Sequence, residues 1–331
     1  MQRRTFLQAS VAASVAASAA ATPVVMTVRG PVDPTKMGVM LVHEHLFSNF
    51  GEEPAEPPVY DREKLLAAVV PYAASVKRLG CGAVADGTTA WFGRDPLLLR
   101  TISERTGLHI LTNTGLYGAA NDRYVPRRAV EQPARAIAEE WVREAEHGIR
   151  DTGIRPGFIK IGVDAGPLSE TDAKLVRAGA MAHRNTGLTM TVHTGDSAES
   201  AGRQLEILAE EGVAPSAWVW IHANQCKDDA AIAEMARRGA WVSLDGLDRK
   251  TLDRHVELVL ALRKAGYLRR VLLSHDGNSF RAGGKNPMRE WSMLFTDLLP
   301  ALRNSGIKDE EVQLLTVENP SSAYTLNKRL V

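Results

Sequence analysis

The sequence has little of several features that mark specialised classes of protein. Only two of its 331 residues are cysteines, Cys81 and Cys226, which excludes a disulfide-rich scaffold. We expect two free thiols, with Cys81 inside a buried strand. Neither sign of charge is in excess, since 40 Lys and Arg face 39 Asp and Glu for a net charge of +1. This balance gives no reason to expect nucleic acid or an anionic membrane as a partner.

The first 21 residues differ from the rest of the chain. Arg3-Arg4-Thr5-Phe6-Leu7 is followed by a mildly apolar run of Ala, Ser and Val that ends at Ala19-Ala20-Ala21. Such a segment is typical of a secretory signal, and its arginine pair resembles a twin-arginine (Tat) leader. An amphipathic helix is the alternative, but Ala and Ser make a poor membrane anchor. We expect cleavage of residues 1–21 after recognition by the Tat export machinery. The mature chain would be periplasmic or secreted, with no stable membrane anchor.

Short apolar runs bounded by Gly, Pro or polar residues predict eight strands in the remainder. They are Gly38–Val42, Cys81–Ala85, His109–Asn113, Gly157–Ile161, Leu188–Val192, Ala217–Ile221, Ala240–Leu244 and Arg270–Ser274. Helical patterns lie between them. Examples are Arg62–Leu79, Pro133–His147, Glu170–Asn185, Ala198–Glu211, Lys227–Arg238 and Leu252–Lys264. Alternation of strands and helices predicts an α/β fold with a parallel sheet. Eight units without a linker or repeat favour a (β/α)8 barrel, formed as one domain by residues 22–331.

The most informative motif is His43-Glu44-His45, at the end of the first predicted strand. Because side chains alternate along a strand, the two histidines point to the same face and Glu44 to the opposite one. Two imidazoles on one side of a strand end can bind one divalent metal ion. Two exposed histidines on a surface strand are the alternative.

Four later strands also end at residues that can bind a metal. These residues are Lys160, His193, His222 and Asp276. In a barrel the C-terminal strand ends meet at one mouth, so six such groups would converge there and suit two metal ions. Lys160 is unusual because a protonated lysine cannot bind a metal. It would have to be neutral, or carry a carbamate formed with carbon dioxide, and burial favours either form. A salt-bridged lysine is the alternative.

Together these residues resemble the phosphotriesterase family of the amidohydrolase superfamily. The opening Thr27–Pro31 and the block Gly38–His45 look like its first signature, and Gly157-Phe158-Ile159-Lys160 looks like the strand with its carboxylated lysine. The segments that match its remaining metal strands are Val192-His193-Thr194-Gly195, Ile221-His222 and Ser274-His275-Asp276. The separations between successive candidate ligands also fit. They are 115 residues from His45 to Lys160, 33 from Lys160 to His193 and 29 from His193 to His222.

The resemblance implies a binuclear hydrolase. His43, His45 and Asp276 would hold the more buried metal, and His193 and His222 the more exposed one. Carboxylated Lys160 and a nucleophilic hydroxide would bridge the two ions, with Asp276 as general base. Zinc is the default metal on availability, and the ligands also accept Mn, Co or Fe. The family also implies a homodimer as one oligomeric state.

Three further residues are assigned with an alternative beside each. Asp86 matches a family aspartate that would support a strand-1 histidine from the second shell, or it caps the turn before Gly87. Tyr117 matches an aromatic that lines the family's pocket, or it is a packing residue. Arg281 lies in a glycine-rich loop with Lys285 and Arg289. These cations predict an anionic or strongly polar substrate or product, or they are solvated surface charges.

Departures from the family pattern bear on the substrate. Gln225 stands where the best phosphotriesterases have a relay aspartate, and Gly246 stands where they have histidine and the lactonases commonly have arginine. We therefore expect a small lactone or carboxylic ester as substrate, ahead of a phosphotriester. Amide or N-acyl hydrolysis at the same site is the alternative. A third hypothesis is a metal-bearing binding protein without turnover.

Overall fold

The computed structural model describes residues 22–278, 280–281 and 290–331. An N-terminal hairpin, β1 (Val25–Thr27) and β2 (Gly30–Val32), precedes the main sheet. The strands of the main sheet are β3 (Val39–His45), β4 (Cys81–Asp86), β5 (His109–Leu111), β6 (Asn113–Thr114), β7 (Phe158–Gly162), β8 (Met190–His193), β9 (Trp218–Ile221), β10 (Trp241–Leu244), β11 (Val271–Leu273) and β12 (Gly277–Asn278). All of their pairings with one another are parallel.

These ten segments make up a barrel of eight strands, since two of the eight are each divided into two segments. β5 and β6 lie on either side of Thr112, and β11 and β12 lie on either side of Ser274–Asp276. Parallel pairing runs from β3 to β5 and from β6 to β11 in chain order, and β12 returns to pair with β3. The ring is thereby closed. It confirms the predicted parallel α/β fold and each of the eight predicted strands, with ends shifted by a few residues.

Helices follow the strands along the chain. They are α1 (Arg62–Arg78), α2 (Pro96–Thr106), α3 (Arg127–Glu131), α4 (Ala134–His147), α5 (Glu170–Thr186), α6 (Ala198–Glu210), α7 (Asp229–Arg237), α8 (Leu252–Lys264), α9 (Leu299–Asn304), α10 (Asp309–Gln313) and α11 (Asn319–Tyr324). Short polar side chains start several of them: Asp61 caps α1, and Ser169 forms a capping box with Asp172 on α5. Gly187 ends α5 in the left-handed conformation, as a C-cap glycine should. None of the described helices is long and apolar enough to cross a bilayer.

The structure confirms the prediction for the two cysteines and does not cover the predicted signal peptide. Cys81 begins β4 and is buried, and Cys226 is buried too, both as free thiols as predicted. The predicted signal peptide, residues 1–21, lies outside the described residues, as do Lys285 and Arg289. The sequence reading missed β1, β2 and the C-terminal helices. Of these, α11 brings Tyr324 under the barrel, where its hydroxyl donates to the Val42 carbonyl at 2.7 Å.

A buried ion pair joins the loop after β4 to the outer helices. The Arg94 side chain is 2% exposed and makes two bonds to the Glu144 carboxylate on α4, at 2.8 and 2.9 Å. One of the same nitrogens also donates to the carbonyl of Asn113 on β6, at 2.7 Å. Burial acts to raise the pKa of Glu144, but the Arg94 guanidinium outweighs it and lowers that pKa. The pair therefore ties α4 to β6 while both partners are charged.

We predict that Glu144→Gln lowers the free energy of unfolding by about 3 kcal/mol, because it leaves the buried Arg94 cation without its counter-ion. Chemical denaturation at pH 7 measures this. The control is Glu139→Gln on the same helix, which removes an exposed pair with Arg135 and should cost about 0.5 kcal/mol or less. Since a lowered carboxylate pKa stabilises the fold above its unfolded value, the gap between wild type and E144Q should shrink below about pH 4.3. Equal losses in the two variants would contradict the assignment.

Candidate metal centre

The strand ends bring the predicted ligands together at one mouth of the barrel. On β3, His43 and His45 point to the same side, and both Nε2 atoms approach one oxygen of Asp276, at 3.6 and 3.4 Å. The three residues offer ligand atoms within 4.8 Å of one another. Both histidines are buried. This group has the geometry of one metal site.

A second pair of nitrogens converges on the other side of the mouth. His193, at the end of β8, and His222, after β9, bring Nδ1 and Nε2 to 2.8 Å from each other. The Tyr117 hydroxyl lies 3.3 Å from the same Nδ1. Burial, together with the neighbouring His222 and Lys160, holds the pKa of His193 well below its ordinary value. A ring that stays neutral keeps a lone pair for a cation.

One carboxylate joins these two groups. Asp245, directly after β10, is fully buried and accepts from the Nδ1 atoms of both His43 (3.3 Å) and His222. It also accepts from the Ser243 hydroxyl at 2.7 Å and from the backbone N–H of His222 at 3.3 Å. In its neutral form, each ring that donates its Nδ1 proton to Asp245 presents an unprotonated Nε2 to the mouth. The shared carboxylate therefore fixes the tautomer of one histidine in each group.

The orientation of His45 is fixed by a threonine hydroxyl, not by the aspartate that the sequence predicted. Its Nδ1 lies 2.8 Å from the Thr88 hydroxyl, which itself donates to the Phe47 carbonyl at 2.9 Å. The hydroxyl thus accepts from Nδ1 and leaves Nε2 free for a ligand. Asp86 was expected beside a strand-1 histidine. In the described part of the chain its carboxylate instead accepts from the backbone N–H groups of Thr88 and Leu46.

The position of Asp86 corrects the prediction. Its hydrogen bonds are those of the alternative, a turn cap, and it reaches His45 only through Thr88. A carboxylate bonded to two backbone donors shapes the turn that carries the Thr88 hydroxyl. Burial raises the pKa of Asp86 to about 6 even against the opposing effect of the nearby His45.

Glu44 points away from the metal groups, as strand alternation requires, and holds the neighbouring strand. One of its oxygens accepts from the Ser274 hydroxyl (2.8 Å) and from the backbone N–H and Nδ1 of His275 (both 2.9 Å). The other accepts from the Gly277 N–H at 2.7 Å. Together these bonds fix both sides of Asp276. They also explain why β11 and β12 are interrupted there.

Two candidate ligands have strained backbones. His222 and Asp276 have φ values of 68° and 51°, in the left-handed region that residues other than glycine rarely occupy. In the turn at Asp276, its N–H donates to the His43 carbonyl at 3.1 Å. Backbone strain of this kind persists where the surroundings enforce it, and it is frequent at functional sites.

Lys160 on β7 lies at the centre of the cluster. Its Nζ is 3.1 Å from the Nε2 of His43, and the residue is 1% exposed. Burial lowers the pKa of Lys160 to about 8, although Asp276 and Asp245 act in the opposite direction. An amine of lowered pKa, surrounded by imidazoles with inward lone pairs, fits a metal centre better than a structural ion pair.

The cavity above these groups has an aromatic wall and a polar wall. It measures about 170 Å³ and extends from Lys160 to Arg281. Tyr117 lines it and stacks on Phe92 at 4.9 Å between ring centroids, while Phe50 lies beside Phe92. The sequence reading missed Phe50, Phe92, Thr88 and the role of Asp245. Only Asp245 carried a usable signal, as a carboxylate at the end of a predicted strand.

Comparisons with known proteins agree with this geometry. The family model described as "Phosphotriesterase family" matches residues 23–324. A "Phosphotriesterase homology protein" of Mycobacterium tuberculosis is 30% identical, over 91% of this chain and 98% of its own. An "N-acetyltaurine hydrolase" of Tetraodon nigroviridis is 27% identical, over 91% and 97% of the two chains. A solved organophosphorus hydrolase mutant from Deinococcus radiodurans superimposes with a TM-score of 0.82 at 29% identity, covering 91% of this chain and 97% of its own.

The fold and these matches define the class as hydrolases built on a parallel α/β barrel. Within that class, the chain belongs to the phosphotriesterase family, as its sequence indicated. The barrel, the family and the group formed by His43, His45 and Asp276 agree on a metal-dependent hydrolase.

We predict that Asp245→Asn weakens metal binding by about 10- to 100-fold, because the two imidazoles donate to different oxygens of Asp245 and asparagine replaces one of these oxygens with an NH2 group that cannot accept. Dialysis against graded chelator, followed by elemental analysis, measures the metal retained per chain. The control is Asp248→Asn, an exposed change in the same loop that leaves both rings untouched. Wild-type retention by D245N, with the fold intact by circular dichroism, would show that Asp245 does not position the ligands.

Proposed function

We propose that the protein is a binuclear metal-dependent hydrolase of ester-type bonds, with a lactone or small carboxylic ester as its substrate. The observation that carries the proposal is the two groups of inward-facing nitrogens, held by one shared carboxylate, with a buried lysine between them. His43, His45 and Asp276 would hold one cation, and His193 and His222 the other. Two cations there supply Lewis acidity and activate a water molecule.

The chain's own groups perform the remaining tasks in this proposal. Asp276, with one oxygen already near two imidazoles, accepts a proton as the nucleophile adds. The Tyr117 hydroxyl, 3.3 Å from His193, is placed to orient the substrate's carbonyl. Burial raises the pKa of Tyr117, so the phenol stays a hydrogen-bond donor at neutral pH. Phe92 and Phe50 line the cavity and exclude water from the polar groups.

A carbamate on Lys160 is part of the proposal. An ammonium group 3.1 Å from an imidazole lone pair would occupy the space of a ligand without binding a cation, whereas a carbamate offers two oxygens. Zinc is the proposed metal, on availability, because imidazole and carboxylate ligands also accept Mn, Co and Fe. Residues 1–21 are proposed as a Tat-type leader, so that the mature enzyme would act in the periplasm or outside the cell.

We predict that Lys160 carries a carbamate in the metal-loaded protein. Incubation with ¹³C-labelled bicarbonate should give a protein carbamate signal in the carbon NMR spectrum of wild type. Lys160→Arg should lose that signal, because a guanidinium does not form the adduct. Lys174→Arg, at a half-buried lysine on α5 outside the metal centre, is the matched control and should keep it. A wild-type spectrum without the signal, from protein with two metal ions per chain, would remove the carbamate from the proposal.

The choice of a lactone or carboxylic ester rests on the residues at two positions of the mouth, Gln225 and Gly246. Gln225 is exposed and Gly246 has no side chain, so neither supplies the proton relay expected of an efficient phosphotriesterase. A small cavity favours a compact substrate over a bulky triester. The second candidate is amide or N-acyl hydrolysis at the same site. The observation in its favour is the relative named for N-acetyltaurine hydrolysis.

We predict that the metal-loaded mature protein hydrolyses aliphatic lactones with a kcat/KM at least about tenfold above that for an activated aryl phosphotriester, because Gln225 and Gly246 stand at the two positions expected to supply the proton relay for a triester. Initial rates on both series, with the chelator-treated protein as a blank, measure this. The reverse order would overturn the substrate ranking. Turnover of N-acyl substrates alone would favour the amide hydrolase. Two bound metals without turnover of any class would favour the binding protein.

A further inference from the structure

We propose that Arg281 is an anion-recognition residue, and that the natural substrate carries a carboxylate a few bonds away from the carbonyl that is attacked. The inference deepens the proposed function and relies on it for one of its two tests. Its basis is the cation of Arg281 on the wall of the same cavity that contains Lys160 and the histidines.

The backbone of Arg281 is held in place by strand-like contacts. Arg281 forms a parallel bridge with Ser48, whose N–H donates to the Phe280 carbonyl at 2.9 Å. The Ser48 hydroxyl donates to Oδ1 of Asn278, on β12, at 3.0 Å. The backbone at Arg281 is therefore anchored to Ser48 in the loop after β3, and Ser48 is itself bonded to β12. An anchored backbone limits the positions that its long side chain can reach.

The side chain of Arg281 is partly buried, and it forms no ion pair with any residue that the structure describes. Its guanidinium carbon lies 4.9 Å from the centroid of the Phe50 ring, so one face of the cation is covered by an aromatic surface. Within residues 22–278, 280–281 and 290–331, its buried Nε has no hydrogen-bond partner. A guanidinium has five donors in a rigid fork, and a buried donor left unpaired carries a free-energy cost. Such a cation is available to a ligand.

A carboxylate is the ligand that fits these constraints. It is planar, accepts two parallel hydrogen bonds from an arginine edge, and leaves the guanidinium face free to stay against Phe50. The cavity of about 170 Å³ is below the usual range for pockets that hold larger ligands. The candidate metal centre lines the same cavity. A short chain must therefore link the reacting carbonyl to the anionic group.

The first test compares two esters of nearly the same shape. Monomethyl succinate carries a carboxylate, and methyl levulinate carries a neutral methyl ketone in its place. Wild-type protein should prefer monomethyl succinate, and Arg281→Gln should lower kcat/KM for that ester by about 10- to 100-fold, the usual loss for a charge-assisted hydrogen bond. The rate for methyl levulinate should change less than about twofold, because its neutral ketone oxygen can accept a hydrogen bond from glutamine as well as from arginine. Arg281→Lys should restore part of the preference, because an ammonium group keeps the positive charge but lacks the two parallel donors of a guanidinium edge.

The matched control is Lys250→Gln, in the loop that follows β10 at the same end of the barrel. Lys250 is exposed and does not line the cavity, so K250Q removes one positive charge from the same face. It should leave the preference unchanged. An equal fall in both variants would mean general electrostatic steering and would overturn the proposal. An equal fall for both esters in R281Q alone would mean a structural role and would overturn it too.

The second test separates this inference from the proposed function. Titration calorimetry measures binding of monomethyl succinate and of methyl levulinate to wild type and R281Q. If wild type hydrolyses neither ester, the ester-hydrolase proposal fails for this chain length, and binding alone decides the anion site. Binding of monomethyl succinate that weakens at least tenfold in R281Q, with methyl levulinate unaffected, supports the site. Equal binding of monomethyl succinate to both proteins overturns it.

Discussion

The arrangement of the mouth depends on the Asp245 carboxylate. It is buried, it accepts from one histidine of each candidate metal group, and it determines which nitrogen of each ring faces the cavity. The attraction of His222 and His43 outweighs the desolvation cost and holds the pKa of Asp245 well below its ordinary value. Two groups from opposite sides of the barrel are thereby tied to one anion. A cation in either group would be attracted by the same charge.

A second buried carboxylate maintains the shape of the ring. Glu44 binds the end of the eighth strand through four donors and so supports the strained turn at Asp276. The two faces of β3 thus have separate tasks: His43 and His45 supply ligands, and Glu44 closes the barrel beside them. The motif that looks like three ligands is two ligands and one structural anchor. Backbone strain at Asp276 persists because these bonds over-determine its position.

The structure of the mouth also explains how one type of barrel can hydrolyse different types of bond within a family. The metal-facing nitrogens come from strand ends that the barrel itself fixes, whereas Phe50, Phe92 and Arg281 come from the loops. Loops change without disturbing the ring. The reaction type therefore belongs to the strands, and the choice of substrate belongs to residues such as Arg281.

The sequence by itself determined the order of strands and helices, the family and the six strand-end residues, because periodicity and strand-end position are local properties. His43 and His45 share a face simply because a strand alternates. The sequence did not determine which buried carboxylate supports which histidine: Asp86 bonds to backbone N–H groups and reaches His45 through Thr88, while Asp245 lies 202 residues from His43 and contacts it directly. The aromatic wall and the position of the Arg281 cation beside Phe50 were likewise decided only by the tertiary structure. Such contacts arise when a closed ring brings distant strand ends to one mouth, and no local pattern encodes the distance between them.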